Sequence, residues 1–118
     1  MRMRKKPNLQ PRMESCAAVR IMQPGLLRGR WHDEFPGRAL WLEIGCGKGR
    51  FTVATAQENP EVELIALEKV EDAMVIAMER ACAAKTDNVR FISMDALRLR
   101  ELFASGEVDR IFVNFFFV

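Results

Sequence analysis

The sequence lacks any stretch approaching the roughly 18 uncharged apolar residues that a membrane-spanning helix requires. Its first residues are basic and contain no apolar segment, so we do not expect a secretory signal. Cysteine is also scarce, and the three that occur are widely spaced with no Cys-x-x-Cys pair. This usage argues against a disulfide framework and against a zinc site, and it fits the reducing cytoplasm.

Histidine is nearly absent, since His32 is the single one in the 118 residues. A nucleophilic thiol at Cys46, which lies in a glycine-rich segment, would need a neighbouring base, and we therefore do not expect one. Cys82 lies in a predicted helix, and we expect it to be a small core residue. The length fits one domain, and an apolar content of 49% is enough for its core.

The most informative segment is residues 42–51, which read Leu-Glu-Ile-Gly-Cys-Gly-Lys-Gly-Arg-Phe. It has the form of an apolar strand, then Gly45, Gly47 and Gly49 at alternate positions, then the start of a helix. Glycines this close together let the backbone turn sharply and approach a ligand that a Cβ atom would exclude. A helix starting at the last glycine adds N–H groups without intrahelical partners. The segment predicts a nucleotide-type site at the carboxyl end of a parallel strand.

The glycine spacing narrows the choice of ligand. Arg50 stands where a dinucleotide fingerprint has its third glycine, and the phosphate-binding P-loop pattern does not follow Gly45. The remaining pattern, Glu-x-Gly-x-Gly-x-Gly, is the form seen in enzymes that bind S-adenosylmethionine. Glu43 is then placed to hold the cationic amino group of that ligand. The alternative is a glycine-rich turn that binds nothing.

The net charge of +2 conceals an asymmetry along the chain. Residues 1–30 contain eight Lys or Arg against one Glu, which gives +7, and the rest contain ten basic against fifteen acidic residues, which gives −5. We interpret residues 1–36 as a basic N-terminal arm and residues 37–118 as the globular part. Such an arm suggests contact with a polyanion such as nucleic acid. A solubilising, disordered start explains the charge equally well.

Apolar runs alternate with amphipathic segments from residue 39 onward. The strands are predicted at 39–44, 62–67, 88–94 and 108–115, and the helices at 49–59, 71–85 and 97–104. In the longest helix Met74, Val75, Met78 and Cys82 share one face of a 3.6-residue period. Strands alternating with helices predict right-handed crossovers and a parallel sheet.

Acidic residues close three successive strands of this predicted sheet. Glu43 leads into the glycine loop, Glu68 lies 19 residues beyond Gly49, and Asp95 ends the third strand. The position of Glu68 is one from which a carboxylate binds both ribose hydroxyls in doubly wound folds. Asp95 is placed to bind the adenine amino group. A single such carboxylate is often only a helix N-cap, but three at one sheet edge favour S-adenosylmethionine.

These residues give the chain a resemblance to the bacterial tRNA (guanine-N7)-methyltransferases, which are class I methyltransferases. The segments that carry the resemblance are residues 4–9 (Arg-Lys-Lys-Pro-Asn-Leu), 29–31 with Phe35, 42–51, 66–68, 88–89, 95–96 and 113–115. Together they extend over essentially the whole chain.

The resemblance implies a Rossmann-like class I methyltransferase domain of the α/β class, of which the N-terminal half is present. Its sheet would have about four parallel strands, with helices on both faces. The cofactor would be S-adenosylmethionine, and the substrate would be a guanine in the variable loop of tRNA. The implied cofactor-binding residues are Glu43, Gly45, Gly47, Gly49, Glu68, Asp95 and Ala96. Arg4, Lys5 and Lys6 are candidates for contact with RNA phosphates.

The end of the sequence departs from the family pattern. The family continues its fourth strand with Asn-Phe-x-Asp-Pro-Trp-Pro, whereas here Asn114-Phe115 is followed by Phe116-Phe117-Val118. Phe117 stands where the family has a functional aspartate, so no catalytic residue is retained. We expect a shortened sheet whose fourth strand forms an exposed apolar edge, and hence self-association or pairing with a complementing chain.

Two functions remain open at this point. The first is a tRNA (guanine-N7)-methyltransferase of which this chain is the N-terminal half. The second is a remnant that binds S-adenosylmethionine or RNA without turnover. The glycine loop and the acidic strand ends support both equally.

Overall fold

A computed structural model describes residues 8–114 as a parallel sheet with helices packed on both faces. The strands are β1 (Ala39–Ile44), β2 (Val62–Glu68), β3 (Val89–Ser93) and β4 (Arg110–Val113). Their order is β3-β2-β1-β4, and every neighbouring pair is parallel. The predicted α/β class, the four parallel strands and the position of the fourth strand at an edge of the sheet are confirmed. Residue 115, predicted as the end of β4, lies outside the described residues.

Five α-helices connect or precede these strands in the described part of the chain. They are α1 (Leu9–Ser15), α2 (Trp31–Glu34), α3 (Arg50–Glu58), α4 (Glu71–Ala83) and α5 (Leu99–Leu102), with 3-10 turns at Ala17–Val19, Pro24–Leu27 and Ala96–Arg98. The helix predicted at 97–104 is therefore a 3-10 turn followed by one α-helical turn. Among these helices, none has the length and apolar character needed to cross a membrane.

The longest helix, α4, ends two residues before the prediction. Lys85 has a φ of 56°, in the left-handed region, which terminates the helix. Its N–H donates to the carbonyl of Cys82 at 3.1 Å, and the N–H of Thr86 donates to the carbonyl of Ala81 at 3.0 Å. These two bonds form a Schellman cap, which satisfies carbonyls that the ended helix leaves free.

One face of the sheet is covered by α1, α3 and α4. The buried residues here include Leu64 and Ala66 from the sheet and Met74, Val75 and Met78 from α4. Three of the four apolar positions predicted for the α4 face are thus core residues.

Cys82, the fourth of those positions, is exposed, so its assignment to the core is wrong. The buried stripe of α4 ends on Ala77 and Ala81, which are four residues apart and are both fully buried. Cys82 lies one residue further, and one residue turns an α-helix by about 100°. Cys82 therefore lies off the buried stripe in the final turn of α4 and is exposed.

The opposite face of the sheet is covered by α2 and α5. Trp31 is fully buried there, stacks on Phe103 with ring centroids 5.0 Å apart, and donates its indole N–H to the carbonyl of Leu102 at 2.8 Å. It packs in the same cluster as Leu40 and Leu42 of β1. The Trp of the Gly29-Arg30-Trp31 segment is therefore an anchor of the fold.

The segment preceding Trp31 is fixed by Glu107, a buried acid in the turn before β4. Its carboxylate accepts hydrogen bonds from the backbone N–H groups of Gly29, Trp31 and Ala104, at 2.9 to 3.1 Å. Burial alone would raise the pKa of Glu107, but these three bonds together with the nearby His32 hold it below its ordinary value. The chain before β1 is thus joined to the chain before β4.

Much of the predicted N-terminal arm packs against the sheet domain. Met13 of α1 is buried, and Arg12 and Arg20 form ion pairs with Glu79 and Glu71 of α4. Two of the cations that give the arm its charge are therefore paired within the fold. The boundary at residues 36 and 37 stays a prediction.

The two outer strands differ in how their edges are covered. Arg20 forms an isolated parallel bridge with Phe91 of β3, and the N–H of Ile21 donates to the Phe91 carbonyl at 3.0 Å. On β4, at the other edge, Ile111 and Val113 are 54% and 56% exposed. The expected exposure of apolar side chains on the fourth strand is confirmed for these two residues.

Candidate cofactor-binding site

The glycine loop lies between β1 and α3 and is tied to the end of β2. Gly45, Gly47 and Gly49 have φ angles of 81°, 56° and 83°, a region that side-chain-bearing residues seldom adopt. The N–H groups of Gly45 and Cys46 both donate to the carbonyl of Leu67, at 2.9 and 3.1 Å. The loop is therefore held against the carboxyl edge of the sheet, where the sequence placed a ligand site.

Gly47 and Gly49 are needed for different reasons. A Cβ atom on Gly47 would meet nothing within 4 Å, so this position borders open space at the mouth of the loop. A Cβ atom on Gly49 would lie 2.6 Å from the Ala77 Cβ and 2.7 Å from its Cα. Gly47 thus leaves room for a ligand, whereas Gly49 lets the start of α3 pack against α4.

Glu68 is brought directly to the loop. Its Oε1 accepts a hydrogen bond from the N–H of Gly47 at 2.9 Å, and its Oε2 accepts one from the N–H of Val70 at 3.0 Å. These contacts fix the carboxylate at the end of β2. Each oxygen accepts one of the two bonds and keeps a further lone pair that these bonds do not use. The geometry therefore suits an acceptor for ribose hydroxyls.

Asp95 and Ala96 lie at the end of β3, on the same edge of the sheet. The N–H of Met94 donates to the Glu68 carbonyl at 3.2 Å, so the ends of β2 and β3 are joined. Asp95 accepts a hydrogen bond from the N–H of Leu97 at 3.0 Å and so caps a 3-10 turn. Capping uses one carboxylate oxygen, and the predicted contact with adenine stays a prediction.

Glu43 occupies a different environment from the other two acids. It is only 1% exposed, and it accepts hydrogen bonds from the hydroxyl of Thr52 at 2.5 Å and from the side-chain amide of Asn114 at 2.9 Å. Burial raises the pKa of Glu43; the two hydrogen bonds oppose this, and the charge of Glu68 adds to it. Its predicted contact with the ligand's amino group remains a prediction.

Comparison with known proteins adds an independent line of evidence. Residues 37–116, which contain the loop and all three acids, match the family described as "Putative methyltransferase". The chain belongs to this methyltransferase family. A further likeness is to magnesium protoporphyrin IX methyltransferase of Synechocystis, solved with bound SAM, with a TM-score of 0.51 and 15% identity over 94% of this chain and 50% of that one. At this identity the likeness shows the fold alone.

Two relatives carry a more specific name. The chain is 40% identical over 116 residues to the tRNA (guanine-N(7)-)-methyltransferase of Halalkalibacterium halodurans and 37% identical to that of Listeria innocua. Each match covers 98% of this chain, and 53% and 54% of the respective relative. The chain therefore spans about half the length of these relatives.

The two residues that donate to Glu43 are not predicted from the sequence as its partners. The sequence assigns Thr52 only to α3 and Asn114 only to the family pattern. Thr52 is a polar residue between apolar positions on the buried side of α3, where Val53 and Ala56 are also buried. A hydroxyl at a core position is the one signal in the sequence that could have indicated a buried partner.

Cys46 lies within the glycine loop and is buried. Burial, together with the charges of Glu43 and Glu68, raises the pKa of its thiol. The thiol therefore stays protonated, and a thiolate is the form that acts as a nucleophile. This agrees with the expectation that Cys46 is not catalytic. Phe117, Arg4, Lys5 and Lys6 lie outside the described residues.

The lack of space between Gly49 and Ala77 leads to a testable prediction for the glycine loop. We expect Gly49→Ala to destabilise the fold by about 2–5 kcal/mol, because it adds a steric clash to the strain of a left-handed backbone. The free energy of unfolding in urea measures this. Gly106→Ala is the matched control, since Gly106 has a φ of 75° but open space around its Cβ position. Equal losses in the two variants would contradict the assignment of Gly49 to packing.

Proposed function

We propose that this chain is the cofactor-binding half of a tRNA (guanine-N7)-methyltransferase, which transfers a methyl group from S-adenosylmethionine to N7 of a variable-loop guanine. The observation that carries the proposal is the convergence of the glycine loop with Glu68 at one edge of the sheet, through the 2.9 Å bond to Gly47. The family match of residues 37–116 and the names of the relatives that match over 98% of this chain support the reaction type.

The described residues fit S-adenosylmethionine on physical grounds. Gly47 leaves the mouth of the loop free of a side chain, since a Cβ atom there would meet nothing within 4 Å. Glu68 would accept hydrogen bonds from the ribose hydroxyls, and Asp95 with Ala96 would border the adenine. Glu43 would supply negative charge for the amino group. When bound, the cofactor supplies an electrophilic methyl group on its sulfonium.

The acceptor chemistry needs positioning more than proton transfer. Guanine N7 has a free lone pair at neutral pH, so no base is required to form the nucleophile. The enzyme must instead align N7 with the methyl group and stabilise the positive charge that develops on the purine. Phe117, at the family's aspartate position, has no charge for this second task. The alternative, binding without turnover, predicts the same cofactor site and differs only in the transfer step.

The cofactor proposal is tested by titrating the chain with S-adenosylmethionine in a calorimeter. We expect saturable binding that falls at least tenfold in Glu68→Ala, because a hydrogen bond to a charged group contributes about 1.5–3 kcal/mol. Glu61→Ala is the matched control, since Glu61 is an exposed acid just before the opposite end of β2. Binding by Glu68→Ala with unchanged affinity would overturn the assignment of Glu68 to the ribose.

The proposed RNA partner is tested through the basic residues near the N-terminus. We expect replacement of Arg4, Lys5 and Lys6 by Ala to flatten the dependence of tRNA affinity on salt, because each phosphate contact releases counterions. Binding measured over a range of salt concentrations gives the slope. Arg12, which is paired with Glu79, provides the control position. An unchanged slope in the triple variant would leave the arm with a solubilising role only. Contact with tRNA is consistent with the cytoplasmic location that we propose.

The exposed side chains of β4 support a further part of the proposal, in which this edge pairs with a second copy or with a complementing chain. Ile111 and Val113 expose apolar surface on a strand whose outer side is unpaired among the described residues. We expect size-exclusion chromatography to show association that weakens in Ile111→Asp and persists in Leu97→Asp, an exposed site away from β4. A stable monomer at all concentrations would contradict pairing with a second copy.

A further inference from the structure

Glu43 is a buried acid whose two hydrogen-bond partners come from separate elements. Thr52 lies nine residues further on in α3, and Asn114 lies directly after β4, 71 residues away in sequence. Thr52 is itself fully buried. The carboxylate therefore joins β1, α3 and the end of β4 at the base of the glycine loop.

The two partners are neutral, so they satisfy the oxygens of Glu43 without cancelling its charge. Burying a carboxylate is unfavourable unless it is hydrogen-bonded, and these two bonds supply one donor to each oxygen. A net negative charge in a poorly solvated place acts strongly on a nearby cation. The ligand proposed for the adjacent loop carries an ammonium group.

We propose that Thr52 and Asn114 are positioning residues, which orient the carboxylate of Glu43 and stabilise its charged form so that this charge acts on the ammonium group of the bound cofactor. This inference rests on the proposed function, because it assumes that S-adenosylmethionine occupies the loop. It assigns Thr52 and Asn114 to cofactor affinity, although neither needs to touch the cofactor.

The same two residues fix the geometry around the loop. The hydrogen bond from Thr52, near the start of α3, to Glu43 of β1 links the two elements that flank the glycine loop. It therefore fixes the two ends of the loop relative to each other. Asn114 is attached twice, by its amide to Glu43 and by its backbone N–H to the carbonyl of Ile44 at 2.9 Å. The end of β4 is therefore held against the end of β1, immediately before the loop.

The electrostatic role predicts a change in pH dependence. The other titratable groups that act on Glu43 are Glu68, from β2, and the Cys46 thiol, from the loop. Burial raises the pKa of Glu43, and the bonds from Thr52 and Asn114 lower it, so losing either bond raises the pKa further. Affinity for a cation falls as the pH drops through this pKa. The loss of affinity in acid must then begin at a higher pH in the variants.

The experiment is calorimetric titration with S-adenosylhomocysteine, which keeps the ammonium group and does not react, from mildly acidic to mildly alkaline pH. We expect Thr52→Val and Asn114→Leu each to weaken binding about tenfold at neutral pH. In both variants the loss of affinity on acidification should begin at a higher pH. Thr52→Ser keeps the hydroxyl and should retain both the affinity and the pH dependence of the natural chain. An effect of shape alone would weaken binding equally at every pH, which would overturn the inference.

A second measurement separates this inference from the proposed function. Urea unfolding of the same variants, without ligand, should show Thr52→Val losing more stability at neutral than at acidic pH, because the ionised carboxylate loses its donor. Absence of ligand binding by the natural chain would defeat the proposed function, and this unfolding difference would still report on the ionised Glu43. A loss of stability independent of pH would overturn the inference even if the ligand binds.

Discussion

The carboxyl end of β2 is the point on which the candidate site depends. The carbonyl of Leu67 receives the N–H groups of both Gly45 and Cys46, and the side chain of Glu68 receives the N–H of Gly47. Three successive backbone donors of the loop are therefore bonded to two successive residues of one strand. Positive φ angles at Gly45 and Gly47 make this arrangement accessible to the backbone. The loop is consequently shaped by the protein before any ligand arrives, which lowers the entropic cost of binding.

The buried acids show how differently one fold can treat the same chemical group. Glu63, at the start of β2, lies near the guanidinium groups of Arg38 and Arg90, whose charges oppose the rise in its pKa that burial produces. Glu107 is bonded by three backbone N–H groups. Both acids lie near the amino ends of their strands, at the edge of the sheet opposite the glycine loop. Glu43, in contrast, lies directly before the loop and is bonded only by the neutral donors of Thr52 and Asn114 among the contacts described, so no cation bonded to it there offsets its charge when it is ionised.

The elements of the sheet could be predicted because their signals are local. An apolar run followed by an acid marks the ends of β1, β2 and β3, and the glycine spacing marks the turn into α3. The same local signals single out Glu68 and Gly47, which the structure brings into direct contact. Contacts between distant segments were not predictable in this way, since no periodicity links Thr52 to Glu43 or Arg20 to Phe91. The assignment of Cys82 to the core was wrong because a helical period identifies an apolar face but does not show how far along the helix that face is covered.

The bridge between Arg20 and Phe91 occupies the middle of the outer side of β3. Because a strand that is already bridged there offers no continuous row of free N–H and C=O groups, β3 is less open to a further strand than β4. The chain before β1 thus acts as a stop on one side of the sheet. Strands contributed by a further polypeptide are therefore expected to join beside β4, whose end is followed directly by Asn114, the residue that donates to Glu43.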